Sequence, residues 1–218
     1  MKTIQRALAL VMALVMSVSL AVTASAESET PPAPTEEQAV TPDPLAAYSD
    51  VDAALWYAPA LRYVTKNGVM GATGDGTFTP NGAVTRGMVM TILARMEGVD
   101  TTADEGGRWY DKGVAWAKEQ GVSDGTRPTA SVTREEFATM LYRYEQTVKE
   151  GGFVGSWMFL LDNPDADQVS SWADEAMHWM TMHKVVNGVD AAGNLAPQSG
   201  ATRAAVAQML LNYSAVER

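Results

Sequence analysis

Cysteine is absent from the 218 residues of this chain, and histidine occurs only twice. Without cysteine the chain cannot build a disulfide scaffold or a thiolate metal site, and any retention at a surface must avoid a lipidated cysteine. His178 and His183 would lie about 140° apart on a helix, which is poor geometry for joint ligation or catalysis. Phosphate-binding loops and nucleophile motifs are also missing. The sequence therefore predicts that the chain is not an enzyme and uses no metal or cofactor.

Positive charge is also scarce, since 16 Lys and Arg face 26 Asp and Glu for a net charge of −10. A surface of this sign repels nucleic acid and anionic lipid at long range. We therefore expect no nucleic-acid partner. An anionic ligand would have to be held by local cations, which makes recurrent arginines informative.

Long hydrophobic runs are limited to one, residues 7–22. Lys2 and Arg6 precede this run, and the small residues Ala24-Ser-Ala26 follow it, a pattern typical of a secretory signal peptide over residues 1–26. An uncleaved membrane anchor is the alternative. Because residues 1–26 contain two cations and no acid, cleavage would change the net charge from −10 to −12. We expect a secreted chain with no membrane contact after cleavage.

The most informative feature that is present is a sequence repeat that occurs three times. A Pro/Glu-rich linker, 27–47, precedes the units and has a composition that cannot form a core. One unit of this size cannot bury its apolar face alone, so neighbouring units must cover it. The units share a Trp-initiated segment (Trp56–Val69, Trp109–Val122 and Trp172–Val185) and divide the chain into 48–99, 100–150 and 151–218.

The first segment of each unit has helical periodicity, with apolar residues at i, i+4, i+7 and i+8. We expect each helix to begin with its tryptophan, and we place these three tryptophans in the core together with Trp116 and Trp179. Asn67-Gly68 and Gln120-Gly121 predict helix ends. The three stripes are Trp56, Ala60, Tyr63 and Val64; Trp109, Gly113, Trp116 and Ala117; and Trp172, Ala176, Trp179 and Met180.

The second segment of each unit predicts an amphipathic helix with a buried stripe at i, i+3, i+4 and i+7. Thr85, Thr133 and Thr202 occupy the N-cap position, and Glu136 completes a capping box in the second unit. Between the two helices lies a turn-rich loop, in which Phe78 and its counterpart Leu195 are expected to fill the core. The stripes are Val89, Ile92, Leu93 and Met96; Phe137, Met140, Leu141 and Tyr144; and Val206, Met209, Leu210 and Tyr213.

Arg86, Arg134 and Arg203 each occupy the first helical position after the cap. A cation at the positive end of a helix is mildly unfavourable, so stability alone would favour Asp or Glu there. The repeated choice indicates a role, and first-turn amides that are free would suit an anion or a polyol. The other interpretation is that each arginine pairs with a carboxylate of the neighbouring unit, such as Asp50 or Asp165.

These residues together resemble the S-layer homology family over residues 48 to about 215. The resemblance implies a mostly α fold, with three helix-loop-helix repeats in a pseudo-threefold prism and ligand grooves between repeats. It also implies binding of secondary cell-wall polysaccharide, often through pyruvylated amino sugars, at the bacterial surface. The motifs that carry the resemblance are Tyr48-Ser-Asp-Val51, Gly68-Val69, Phe78-x-Pro80 and the Thr-Arg helix starts, with Asp165–Trp172 and Leu195-x-Pro197 in the third unit.

By the same resemblance, the ligand-binding residues are Arg86, Arg134 and Arg203, with the loop glycines Gly71 and Gly188 as further candidates. Alanine at these arginines should weaken sugar binding and leave folding stability almost unchanged. Because the loop of the second unit is the shortest, we expect fewer than three working grooves. The grooves of Arg86 and Arg203 should be intact, and Arg134 should matter less.

Two other functions stay open. The chain could be a structural or protein-interaction module of the S-layer or envelope, and the apolar insertion 151–161, which contains Trp157, is either a partner patch or a buried crossing. A fragment of an enzyme is the second alternative, which a longer reading frame would support.

Overall fold

The computed structural model describes residues 42–151, 158 and 160–217. The predicted signal peptide, most of the predicted linker and Trp157 lie outside this range. The described chain is mostly helical, as predicted. Its α-helices are α1 (Ala58–Lys66), α2 (Arg86–Met96), α3 (Asp111–Glu119), α4 (Arg134–Thr147), α5 (Asp174–Met182) and α6 (Arg203–Ser214).

The first helices of the units, α1, α3 and α5, begin two residues later than predicted. The tryptophan of each unit therefore precedes its helix, and the placement of these three tryptophans in the core is wrong. The rest of each stripe faces inward as predicted; Trp179 is buried and Trp116 half-buried. Gly68 and Gly121 follow α1 and α3 with φ of 68° and 71°, which confirms them as helix ends.

The second helices, α2, α4 and α6, begin where the sequence predicts. The hydroxyls of Thr85, Thr133 and Thr202 accept hydrogen bonds from backbone N–H groups three residues on, at 3.3, 3.1 and 3.2 Å. The Glu136 carboxylate accepts from the Thr133 N–H at 2.9 Å, which completes the predicted capping box. The predicted stripes of these helices are buried, with only Met96 partly covered.

Helix packing between the units is cyclic. The second helix of each unit packs on the first helix of the next, so that α2 contacts α3, α4 contacts α5, and α6 returns to α1. A pseudo-threefold arrangement requires this order of contacts. The prism itself remains our prediction.

A ring of backbone hydrogen bonds joins the three segments that lead into α2, α4 and α6. Val84 N–H donates to the Ala201 carbonyl at 3.0 Å, Val132 N–H to Val84 at 2.9 Å, and Ala201 N–H to Val132 at 2.9 Å. All three residues are buried. Loss of any one unit would leave the ring incomplete. Because an unpaired buried amide or carbonyl is costly, such a loss should destabilise the units that remain.

The three loops end with the same backbone conformation. Thr79, Arg127 and Ala196 have φ of 57°, 49° and 50°, and each is followed by a proline. Phe78 and Leu195, directly before two of these positions, are fully buried, as predicted. Of the apolar insertion, Gly151, Met158, Leu160 and Leu161 are described; Met158 and Leu160 are each 77% exposed, whereas Leu161 is partly buried against the core. Within the described residues, none of the helices combines the length and apolar character needed to cross a membrane.

Candidate functional site

In the described part of the chain, three grooves lie between the units, and residues of all three units line each groove. In each groove one unit supplies the loop and the second helix, the next unit supplies a tryptophan, and the preceding unit supplies the arginine after the threonine cap. We number each groove by the unit that supplies its loop. The first groove (about 350 Å³) contains Trp109 and Arg203, the second (about 500 Å³) Trp172 and Arg86, and the third (about 380 Å³) Trp56 and Arg134.

Arg203 joins the third unit to the loop of the first. Its Nε donates to the Phe78 carbonyl at 2.7 Å and its Nη2 to the Gly71 carbonyl at 2.5 Å. The guanidinium carbon lies 4.4 Å from the centroid of the Phe78 ring. Arg203 is only 6% exposed, so most of this cation is withdrawn from water while it lines the first groove.

Arg134 repeats this geometry one unit earlier. Its Nε donates to the Leu195 carbonyl at 2.8 Å and its Nη2 to the Asn187 carbonyl at 3.1 Å, and the residue is 7% exposed. Arg134 and Arg203 therefore each hold the loop of the following unit, with Arg203 closing the cycle onto the first.

Asp50 and Asp165 hold the same loops from the other side. The Asp50 carboxylate accepts from the N–H groups of Phe78 and Thr79 at 2.8 and 2.7 Å. Asp165 does the same for Leu195 and the following residue, at 2.8 and 2.7 Å. The suggested ion pairs between these aspartates and the arginines are thus absent from the described contacts, because both partners bind the loop backbone between them.

Burial lowers the pKa of both buried arginines. Removal from water is the main cause for Arg203, and the nearby Tyr48 and Asp50 oppose it. For Arg134, Asp165 opposes the same effect of burial. Because arginine titrates so far above neutral pH, both guanidinium groups stay charged inside the grooves.

Arg86 has different surroundings, because it faces the short loop of the second unit. Its Nε donates to the Thr126 carbonyl at 3.0 Å, and its Nη2 lies 2.9 Å from an Asp124 carboxylate oxygen. Glu136 is 3.7 Å from Nη1. Hydrogen bonds from the Thr126 amide and hydroxyl, with a smaller contribution from Arg86, lower the pKa of Asp124 to about 2, so this carboxylate is ionised at neutral pH.

The expectation about which grooves are intact assumed that each arginine faces the loop of its own unit, whereas in the structure each arginine faces the loop of the next unit. The shortened loop was expected to weaken the groove of Arg134, which belongs to the same unit. In the structure that loop contacts Arg86, and Arg134 faces the longer loop of the third unit. The arginine whose charge is most offset by protein carboxylates is thus Arg86, while Arg203 and Arg134 serve the grooves with full-length loops.

Two further expectations about the arginines change. The first-turn amides beside them are not free, since the N–H groups of Arg203 and Ala204 donate to carbonyls of the first loop at 2.9 and 2.8 Å, and the same pattern recurs at α2 and α4. A ligand would therefore meet the guanidinium rather than the helix terminus. Because Arg134 and Arg203 also connect units, their removal should reduce stability, in contrast to the near-neutral effect expected from the helix dipole alone.

Trp56, Trp109 and Trp172, which the sequence analysis placed in the core, line the grooves instead. They are 63%, 48% and 55% exposed. Tyr57 and Tyr110, the next residues, are buried and pack edge-on against the first two indoles, with centroids 5.4 and 5.1 Å apart. The sequence shows that the tryptophan recurs in each unit, but it does not show that the residue lies before the first helical turn.

The loop glycines take two different roles. Gly71 lines the first groove and presents the carbonyl that Arg203 binds. Gly188 lines the third groove and passes so close to Gly193 that an added Cβ would lie 2.7 Å from the Gly193 Cα. Glycine at 188 is therefore required by backbone packing.

In the part of the chain that the structure describes, no cluster of three or more His, Cys, Asp or Glu residues is placed to hold a metal ion.

Comparison with known families matches two parts of the chain to the S-layer homology domain, residues 47–87 and 164–207. These ranges lie in the first and third units. They include Arg86, Arg203, Gly71 and Gly188.

Known proteins with similar sequence include a cellulosome-anchoring protein of Acetivibrio thermocellus, 30% identical over 142 residues that cover 58% of this chain and 30% of that protein. An endoglucanase of a Bacillus species is 24% identical over 75% of this chain and 18% of its own length. An S-layer protein of Bacillus thuringiensis subsp. finitimus is 25% identical over 49% of this chain and 14% of its own length. The chain thus spans less than a third of the length of each of these relatives.

Proposed function

We propose that this chain, which carries S-layer homology domains and is located at the bacterial cell surface, anchors itself there without a covalent bond by binding secondary cell-wall polysaccharide. The anchoring module is non-catalytic in this proposal. Residues 1–26 act as the export signal, 27–47 as a linker, and 48–99, 100–150 and 151–218 as the repeats. S-layer or other envelope proteins are possible further partners.

The observation that carries the proposal is the pairing of an exposed indole with an arginine guanidinium in every groove, and this arginine is buried in the first and third grooves. An indole that is about half exposed offers a large apolar face on which a sugar ring can pack. In the first and third grooves the arginine uses Nε and Nη2 for the loop, so Nη1 has no partner among the described residues and is available to a ligand. The indole that can stack on a sugar ring and the guanidinium that can bind an anion thus line the same groove.

The chemistry of the grooves favours an acidic sugar. A guanidinium that is already fixed by two hydrogen bonds loses little conformational freedom when it binds a carboxylate. The overall charge of the chain is negative, so long-range attraction does not explain anion binding and the local cation must. A pyruvyl ketal on an amino sugar supplies one carboxylate next to a ring that can pack on tryptophan.

Removal of the pyruvyl groups from the polysaccharide should abolish binding. Polysaccharide released from cell walls would be titrated into the protein by calorimetry before and after mild acid treatment that cleaves the ketals. We expect at least a 30-fold loss of affinity, about 2 kcal/mol for a charge-assisted contact. Polymer that is mock-treated at neutral pH is the control. Unchanged affinity after complete removal of pyruvate would contradict the acidic-sugar assignment.

A further inference from the structure

One position of the second helix carries arginine in the first and second grooves and asparagine in the third. This position lies nine residues after the arginine that begins each helix, and it is occupied by Arg95 in α2, Arg143 in α4 and Asn212 in α6. Each of these residues lines the groove formed by its own helix. The first groove therefore contains a second arginine, Arg95, in addition to Arg203, whereas the third groove has an amide in its place.

Arg95 is exposed but held in one orientation. Its Nε donates to the hydroxyl of Thr101 at 2.8 Å, and Thr101 is itself only 6% exposed. Among the described residues no carboxylate lies within 4.0 Å of the Arg95 guanidinium, in a chain where acids outnumber bases. Both Nη atoms are thus left for a planar anion, and the side chain loses little freedom on binding one.

Thr91 is a further polar residue of the first groove. The hydroxyl of Thr91, a residue 3% exposed, lines this groove and has no hydrogen-bond partner among the described residues. Beyond Arg95 the groove continues into a neighbouring cleft of about 580 Å³, which Arg95 also lines together with Tyr48, Thr101 and one carboxylate, Asp100. A ligand that fills the first groove can therefore extend past Arg95 by more than one sugar.

The other grooves lack this combination. In the second groove Arg143 and Arg127 accompany Arg86, but Asp124 and Glu136 lie among them and offset the charge. In the third groove Asn212 donates to the Val185 carbonyl at 3.2 Å, which leaves Arg134 as the cation among the residues that line it. The first groove, by contrast, is lined by two cations, Arg95 and Arg203, and by no carboxylate.

We propose that the first groove selects a glycan segment that carries two acidic groups, one bound at Arg203 and the second at Arg95. This inference rests on the proposed function. Arg95 then determines specificity: it makes the first groove prefer a segment in which an acidic sugar adjoins the pyruvylated one, and the third groove accepts a segment with one acid.

Calorimetry with two synthetic probes tests this. One probe is the methyl glycoside of a pyruvylated N-acetylhexosamine, with one carboxylate; the other is a disaccharide that joins a hexuronic acid to the same sugar. The protein carries Trp56→Ala and Trp172→Ala, so that only the first groove keeps its indole. We expect about 10-fold tighter binding of the two-acid probe. Arg95→Gln should remove this preference and change the affinity for the one-acid probe less than about twofold.

Arg62→Gln is the matched control, because Arg62 also lies on a helix and reaches the surface but pairs with Asp43 outside the grooves. It should keep the 10-fold preference. Arg95→Lys should keep only part of it, since an ammonium lacks the planar fork. Equal binding of both probes to the parent, or a preference that survives Arg95→Gln, would overturn the role of Arg95. Failure of the one-acid probe to bind at all would instead overturn the proposed function.

Discussion

Replacing Trp56, Trp109 and Trp172 together by alanine is expected to abolish sedimentation of the protein with cell-wall sacculi while leaving it folded. Each indole is 48–63% exposed and supplies the apolar wall of one groove. If each contact contributes about 1–2 kcal/mol, a polymer that engages two grooves at once would lose about 30-fold to 1,000-fold in avidity. Sedimentation over a range of protein concentrations measures this loss, and circular dichroism reports the fold.

Trp179→Ala is the matched control for that experiment. Trp179 is 2% exposed and packs against Tyr142, with ring centroids 5.7 Å apart. Its removal should lower the free energy of unfolding by about 3–5 kcal/mol. The triple groove variant should lose much less per residue, because exposed side chains contribute little to the core. A triple variant that still sediments like the parent would contradict the role of the tryptophans.

Arg203→Ala is expected to lower both stability and affinity. The substitution removes the hydrogen bonds to the Phe78 and Gly71 carbonyls, which connect the third unit to the first. Because both acceptors lose a charged donor at a buried position, we expect the free energy of unfolding to fall by about 2–4 kcal/mol. Urea denaturation measures this effect. Calorimetry with the released polysaccharide, under conditions where the variant is folded, measures the loss of binding.

Arg203→Lys should not restore either property, because an ammonium cannot bind two carbonyls and a carboxylate in one plane. Arg62→Ala, at an exposed ion pair with Asp43, provides the comparison for loss of a surface arginine and should leave the unfolding transition nearly in place. Full stability of Arg203→Ala would contradict its role as a connection between units. Full stability together with full affinity would remove Arg203 from the site altogether.

Local features of this fold were predictable from the sequence because they depend on neighbours in the chain. The threonine caps, the capping box of Thr133 and Glu136, and the glycine helix ends each follow from a few consecutive residues. The stripes of α2, α4 and α6 have a periodicity that any amphipathic helix shows, and their burial is confirmed.

The tryptophans were misplaced because periodicity does not reveal where a helix begins. Trp56 has the sequence spacing of the buried stripe that includes Ala60 and Val64. It lies two residues before α1, however, where the backbone is not helical and does not direct the side chain to the same face. In all three units this displacement moves the indole from the core to a groove.

The arginine contacts could not be assigned because they depend on how the units close around each other. The sequence shows that Arg86 and the short loop are in different units, but only the cyclic packing shows that they face each other. The same packing brings loop carbonyls to the first-turn amides of α2, α4 and α6, which the sequence left as free donors.

The most direct test of the central claim is sedimentation of the parent protein with two preparations of the same sacculi. One preparation keeps its secondary polysaccharide, and the other has been chemically stripped of it with its peptidoglycan intact. We expect the protein to sediment with the first preparation and to remain in the supernatant with the second. Equal sedimentation with both would contradict polysaccharide binding and would indicate peptidoglycan or a protein receptor instead.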